Sequence, residues 1–228
     1  MDNIVAEKSY KHFLIYQNDS YTNEMEKIFK NPDIAFDIPD DLLLKNGNSA
    51  TLVKFTIDKK EYVVKRYNMK TRMHALRRAF KKTRASHSWK YSHLLKKKGI
   101  KTPNPVAFKE KRLGPFRNKA FFICEYVKGL TAFDYFNDPQ ILFEDKALIA
   151  KKITQIFDTL KFSLISHGDM KATNIIINEN DPHLIDLDSM KKHRSKYFFK
   201  HAWGKDIKRF MKNWDDLPEI KQLFRQIK

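Results

Sequence analysis

From Leu42 onward, apolar and polar residues group into short β-prone runs. Leu42–Leu44, Thr51–Ile57 and Glu61–Tyr67 are divided by Asn46-Gly47-Asn48 and Asp58-Lys59-Lys60, the pattern of a hairpin meander. The period then changes. Met69, Met73, Leu76 and Phe80 recur at steps of four, three and four, which predicts a helix with one apolar stripe. A second helix is expected from about Ser86 to Lys98, carrying Trp89 and Leu94-Leu95 and stopping at Gly99. Pro103 and Pro105 break the pattern that follows. Ala120–Tyr126 reads as an apolar strand ended by Val127-Lys128-Gly129. Beyond it, Leu142–Leu164 has helical spacing, and Asn174–Ile177 and His183–Leu187 read as short strands around the turn Glu179-Asn180-Asp181-Pro182. The last forty residues look helical, whereas the first forty mix short apolar runs with Asn, Asp and Pro and read as peripheral. Together these elements predict an α+β fold of two lobes: an extension over 1–41, an antiparallel β-rich lobe over 42–127 and a mainly helical lobe over 128–228. A ligand is expected in the cleft between them.

Composition narrows the partner. Hydrophobic residues make up 42% of the 228 and aromatics 13%, enough for a sizeable core. The net charge is +18, and Lys65 to Lys109 contains fifteen lysines and arginines with no aspartate or glutamate. The rest of the chain is nearly neutral, so this stretch is expected to face something anionic: nucleic acid, a membrane surface or a phosphorylated substrate. Nucleic acid is the poorest fit, because no helix-turn-helix, RNP-like strand or zinc module accompanies the charge. Cys124 is the lone cysteine, which excludes an intrachain disulfide and a Cys-rich metal site and suits a reducing cytoplasm. Met1–Tyr16 has neither the basic start nor the apolar core of a signal peptide. No run approaches the ~18 apolar residues of a membrane-spanning helix, so a soluble or peripheral protein is expected.

The chemistry is concentrated in His167-Gly168-Asp169-Met170-Lys171-Ala172-Thr173-Asn174, followed by Leu184-Ile185-Asp186-Leu187-Asp188. Against the kinase pattern H-R-D-L-x-x-x-N it matches at His, at Asp and at Asn five residues later, with Asp186 in the place of the D-F-G aspartate. Phosphoryl transfer needs these residue types. A carboxylate must orient the acceptor hydroxyl and take its proton, which suits Asp169. Mg²⁺ prefers oxygen ligands, which the Asn174 amide and the Asp186 carboxylate supply. Lys171, two residues after the base, would offset charge on the transferring phosphoryl group. A single Asp–Asn pair between a helix and a strand would be turn chemistry and nothing more; here a full loop motif and a second acidic motif coincide. Val63-Val64-Lys65 ends a strand in the manner of the V-A-I-K lysine that grips ATP phosphates. Glu125, Tyr126 and Val127 fall where hinge backbone would pair with adenine. The turn Lys45–Ala50 has one glycine and no G-x-G-x-x-G, so a phosphate cover and a plain hairpin turn explain it equally well. Asp206 either props the catalytic loop through its amides or is a surface acid pairing with Lys208 or Arg209; with His167 it is the candidate for structural support.

HGDMKATN and LIDLD, with VVKRY upstream and a short helical tail, resemble the bacterial lipopolysaccharide core kinases, the Kdo/heptose (WaaP-like) family, over roughly Leu42 to Phe210. The resemblance implies a protein-kinase-like fold with a shortened C-lobe, ATP and Mg²⁺, and a sugar hydroxyl of the lipid A–core region as acceptor. It also implies work at the cytoplasmic face of the inner membrane. The loop motif is shared with aminoglycoside and choline phosphotransferases, but those usually place His where this chain has Lys171. One departure stands out. Kinases pair the strand lysine with a helix glutamate, and related lipopolysaccharide kinases keep an acid just before an aromatic there; this chain has Ser88 before Trp89. Lys65 is then held by another acid such as Asp186, or by phosphate alone, and a nucleotide- or lipid-binding pseudokinase is the alternative. A protein substrate is disfavoured, because forty residues follow Asp188 and no A-P-E anchor occurs. The basic stretch 65–109 is expected to collect an anionic glycolipid at the membrane surface.

Overall fold

Residues 4–17 are built into a sheet, which corrects the expectation of a peripheral segment. In the computed structural model, which describes residues 4–37, 42–47, 49–67, 82–114 and 116–227, β1 (Ile4–Lys8) and β2 (His12–Gln17) form a hairpin followed by α1 (Asn23–Lys30). β3 (Leu43–Asn46), β4 (Ala50–Ile57) and β5 (Lys60–Tyr67) make the expected meander. The β4–β5 reversal rests on Asp58 and Lys59, both left-handed at φ 48° and 63°, a turn that matches strand twist. The helix expected around Met69–Phe80 lies outside the described residues. α2 (Arg84–Lys96), β6 (Pro105–Leu113) and β7 (Phe116–Glu125) follow. These seven strands form one sheet in the order β1-β2-β6-β7-β5-β4-β3, each neighbouring pair antiparallel.

The sequence pattern hides β6 because Pro103 precedes it, Pro105 opens it and charge crowds its end. Pro105 opens the strand, where its missing N–H is harmless, and Val106 to Glu110 are all buried. Both faces of the sheet are covered. On one, Leu14, Tyr16, Met25, Phe29 and Ala35 from the first forty residues pack with Val64, Phe121 and Ile123. On the other, Ala85 and Trp89 of α2 pack with Tyr67, Phe108, Ala120 and Phe122.

Buried polar groups fix these coverings. Thr83 accepts from the Ser86 amide at the start of α2 and donates to buried Glu110, which also holds Arg112 and Arg117. Lys109, buried in β6, donates to the Phe29 and Lys30 carbonyls (2.9 and 2.5 Å) at the end of α1. Burial, and then the neighbouring charge of Lys111, lower its pKa. Lys109→Met would leave those carbonyls unmatched. We expect it to destabilise the fold by about 1–3 kcal/mol, visible as an earlier urea transition; an unshifted midpoint would contradict this role.

The basic stretch is thus partly internal. Arg66 and, outside the stretch, Lys111 and Lys119 meet Asp33, while Arg84 lies over the Tyr67 ring and Lys101 pairs with Asp181. Acids distant in sequence supply the counter-charge.

The chain divides into two compact units, residues 1–93 with 103–126 and residues 94–102 with 127–228. α2 ends as expected, with Gly99 at φ +74° and the Ile100 amide returning to the Leu95 carbonyl. The second unit carries β8 (Leu130–Thr131), α3 (Ala132–Asn137), α4 (Phe143–Phe162), β9 (Ile165–Ser166), β10 (Ile175–Asn178), β11 (Asp181–Leu184), β12 (Lys191–Lys192), α5 (Lys196–Met211) and α6 (Pro218–Leu223). Ile149, Ile153, Phe157 and Leu160 form the buried stripe of α4. They belong to a core rich in rings, where Phe157 meets Trp203 and Phe210, and Trp214 meets Phe136 and Phe224. No described helix is long and apolar enough to cross a membrane.

Candidate active site

The segment between β9 and β10 is held by α5. Asp206, 2% exposed, accepts from the His167 amide at 2.7 Å and from the Gly168 amide at 3.0 and 3.2 Å. Of the two readings of Asp206, the structure therefore has the buried one. His167 adds a second tie. Its ring is fully buried and bonds the Ile185 carbonyl through Nε2 (3.0 Å), which must therefore carry the proton. Nδ1 is left as the acceptor for the Asp169 amide at 3.3 Å. One imidazole thus joins the backbone of Asp169 to the residue preceding Asp186. Gly168 is at φ +83°, and a Cβ there would lie 2.7 Å from the Ser189 carbonyl oxygen, so the close approach of the two segments requires glycine.

Asn174 sits in a short 3₁₀ turn, Ala172–Asn174, and is buried. Its Nδ2 donates to the Asp169 carbonyl at 2.8 Å and lies 3.4 Å from Asp169 Oδ2. That turns Oδ1 into the amide atom suited to a cation. The Ile185 amide donates to the Asn174 carbonyl (2.9 Å), so the β10–β11 pairing places the Asn174 and Asp186 segments side by side. Asp186 is itself left-handed (φ 58°, ψ 51°) and leads the turn Leu187–Ser189. An amide oxygen and a carboxylate make a hard donor set, incomplete alone, that suits Mg²⁺ sharing its shell with phosphate and water.

The Asp169 side chain faces cations. Lys171 Nζ is 3.3 Å from Oδ2, and the Arg209 guanidinium donates to Oδ1. Beside them a cavity of about 550 Å³ is lined by Asp169, Lys171, Arg209, Lys212 and Asn213. On sequence alone Arg209 reads only as a surface partner of Asp206, and Lys212 and Asn213 belong to no motif. The available signal was spacing, since Arg209 follows Asp206 by three residues and shares its helical face.

In the first unit, Lys65 stands on β5 opposite Leu52 and Phe122, with its Nζ 5.3 Å from the centre of the Tyr67 ring. Buried Ser88 bonds the Tyr67 hydroxyl at 2.9 Å, so α2 meets β5 through a neutral hydroxyl pair at the position where a kinase glutamate was sought. Burial pushes the Cys124 thiol up to about 12, against the opposing charge of Lys65. Glu125 and Tyr126 donate their amides to the Asn104 and Glu61 carbonyls, both at 2.9 Å. Val127 follows in the other unit.

Burial lowers the pKa of His167 and His183, and burial with the charge of Lys191 lowers that of His193. All three imidazoles are kept neutral, below their usual value of about 6.5. As pH falls below that value, the unfolded chain binds protons that the folded chain refuses. Their stabilisation is therefore present above about pH 6.5 and is lost below it. A further loss follows between about pH 4 and pH 2. Asp33 is held at about 2 although burial opposes its ionisation, because Lys111 and Lys119 outweigh it, and Lys101 and Lys152 hold Asp181 at about 2. A lower urea midpoint at pH 5.5 than at pH 7.5 is expected; equal midpoints would rule out the histidine contribution.

Comparisons with known proteins bear on the whole arrangement. A solved structure of WaaP in complex with acyl carrier protein superposes with a TM-score of 0.58 at 14% identity, covering 80% of this chain and 77% of that one. That likeness shows a shared protein-kinase-like fold. No curated protein matches the chain. The model of the lipopolysaccharide kinase (Kdo/WaaP) family matches residues 44–223, a span that includes Lys65, the Asp169 loop, Asp186 and Asp206. The chain belongs to the lipopolysaccharide kinase (Kdo/WaaP) family.

Proposed function

We propose that the protein transfers the γ-phosphate of ATP to a sugar hydroxyl, of Kdo or heptose, in the inner core of lipopolysaccharide. The observation that carries this reading is the Asp169 loop, whose backbone is fixed by Asp206 and His167 while its carboxylate faces a cation-lined cavity. Asp169 orients the acceptor hydroxyl and takes its proton as the new P–O bond forms and the bond from the γ-phosphorus to the bridging oxygen breaks, releasing ADP. Lys171 offsets negative charge on the transferring group, and Lys65 grips the nucleotide phosphates. Asn174 and Asp186 would hold Mg²⁺, which, when bound, neutralises phosphate charge. His167 and Asp206 keep the loop in register. At the hinge, Glu125 and Tyr126 have their amides engaged, which leaves the Val127 amide as the one adenine would meet.

The acceptor would be an anionic lipid A–core glycan met at the cytoplasmic face of the inner membrane. The basic stretch 65–109 would help to gather it. Tyr197 and Phe198, 78% and 66% exposed beside Lys196 and Lys200, add an aromatic and basic surface of the kind that suits a lipid interface.

The test is transfer of label from γ-labelled ATP to lipid A–core acceptors of defined length, with an aminoglycoside and choline as controls. Label on the core glycan is expected. Label on the small molecules alone would move the protein to the small-molecule phosphotransferases, and nucleotide binding without any transfer would make it a pseudokinase.

A further inference from the structure

The cavity beside Asp169 carries more positive charge than transfer of one phosphoryl group requires. Lys171 comes from the loop, while Arg209 and Lys212 come from α5 and the turn that continues it, Lys212–Trp214. Arg209 follows Asp206 by one helical turn and Lys212 follows Arg209 by another, so one stretch of helix fixes the loop backbone, brings Arg209 to the loop's carboxylate and lines the cavity with Lys212. Asn213 secures this end, its Nδ2 donating to the carbonyls of Arg209 (2.8 Å) and Phe210 (2.7 Å).

Both oxygens of Asp169 are contacted: Oδ1 by Arg209, and Oδ2 by Lys171 with the Asn174 amide nearby. A base so enclosed is poorly placed to receive a hydroxyl proton. Lys171 is tied to the loop, but Arg209 is different. Its side chain is 54% exposed and can turn into the cavity by rotating its own torsions. An acidic group entering there would offer it a bidentate partner in place of its single contact to Oδ1, with Lys212 as additional counter-charge.

Building on the phosphotransfer reading, we propose that this cavity is an anion subsite for the acceptor, in which Arg209 passes from Asp169 to an acid group of the acceptor and so frees Oδ1 for the reacting hydroxyl. The subsite selects an acceptor sugar that carries a carboxylate, or one that lies next to a phosphate, over a neutral sugar. Arg209 and Lys212 thus determine specificity, and Arg209 also governs access to the base.

The experiment compares the full-length protein with R209A, R209K and K212A. The acceptors are three forms of one lipid-linked core: native, carboxyl-reduced with phosphate retained, and dephosphorylated with carboxylate retained. In the wild type, KM is expected to rise about 10- to 100-fold on removal of whichever acid is recognised, which also identifies its source. R209A should show a similar KM rise with the native acceptor, little further change with the form that lacks the recognised acid, and partial rescue in R209K. Equal KM for all three acceptors in the wild type, or a fall in kcat alone in R209A, would overturn the subsite. If no acceptor is phosphorylated, the phosphotransfer reading fails, and binding of free Kdo, followed by calorimetry, decides the subsite separately. Binding weakened in R209A and K212A would support it, and binding that is absent or unchanged would overturn it.

Discussion

Asp169→Asn is expected to reduce phosphotransfer by about 10²- to 10⁴-fold while nucleotide affinity stays close to that of the wild type. Asparagine keeps the shape of the side chain and its place beside the loop, but its amide cannot take the acceptor proton at neutral pH. The supporting bonds of the loop survive, because Asp206 and His167 hold backbone atoms of residues 167 to 169. Lys171 and Arg209 would face a neutral group instead of sharing a carboxylate, a change at a partly exposed position that leaves the fold intact. Single-turnover transfer measured alongside nucleotide titration separates the two effects. Undiminished turnover in this variant would remove Asp169 from the chemistry.

Asp206→Ala should have the largest effect on folding and activity together. The buried carboxylate accepts from two amides, and alanine leaves both donors unmatched in a space too small to hydrate well. Charge-assisted bonds of this kind contribute about 1.5–3 kcal/mol each, so a loss of about 3–5 kcal/mol is expected. Asp206→Asn should fall between, since one amide oxygen can still accept while its NH₂ group opposes the second N–H. The readout that distinguishes loop support from bulk stability is kcat at a temperature where the Asn variant remains folded. It should drop with nucleotide binding retained. A folded Asn variant with wild-type kcat would mean that the loop keeps its geometry without Asp206.

How much of this could be read in the sequence depended on whether the determining contacts were local. The β4–β5 hairpin, the α2 terminus at Gly99 and the stripe of α4 are written in neighbouring residues, and they occur where periodicity and turn chemistry put them. The Asp169 loop was legible because phosphoryl transfer restricts residue types at fixed spacing. β6 and the role of the first forty residues were not, because isolated residues such as Leu14, Met25 and Phe29 become a core only once β2 pairs with a strand some ninety positions later. The internal share of the charge run was hidden in the same way. Asp33 pairs with Arg66, and carbonyls at the end of α1 accept from Lys109, all from residues far off in sequence. Arg209 reads from sequence only as a partner for Asp206, because which carboxylate a helix arginine faces is decided once the Asp169 loop is in place.

The pairing of β2 with β6 has a practical consequence for anyone working with fragments. The family match begins at residue 44, but a polypeptide cut there would discard β1, β2 and α1. It would also turn β6 into an open edge and bare the face carrying Val64, Phe121 and Ile123. An unprotected strand beside an uncovered apolar surface invites self-association. Sequence homology and autonomous folding therefore have different boundaries in this protein, and the second takes in β1, β2 and α1.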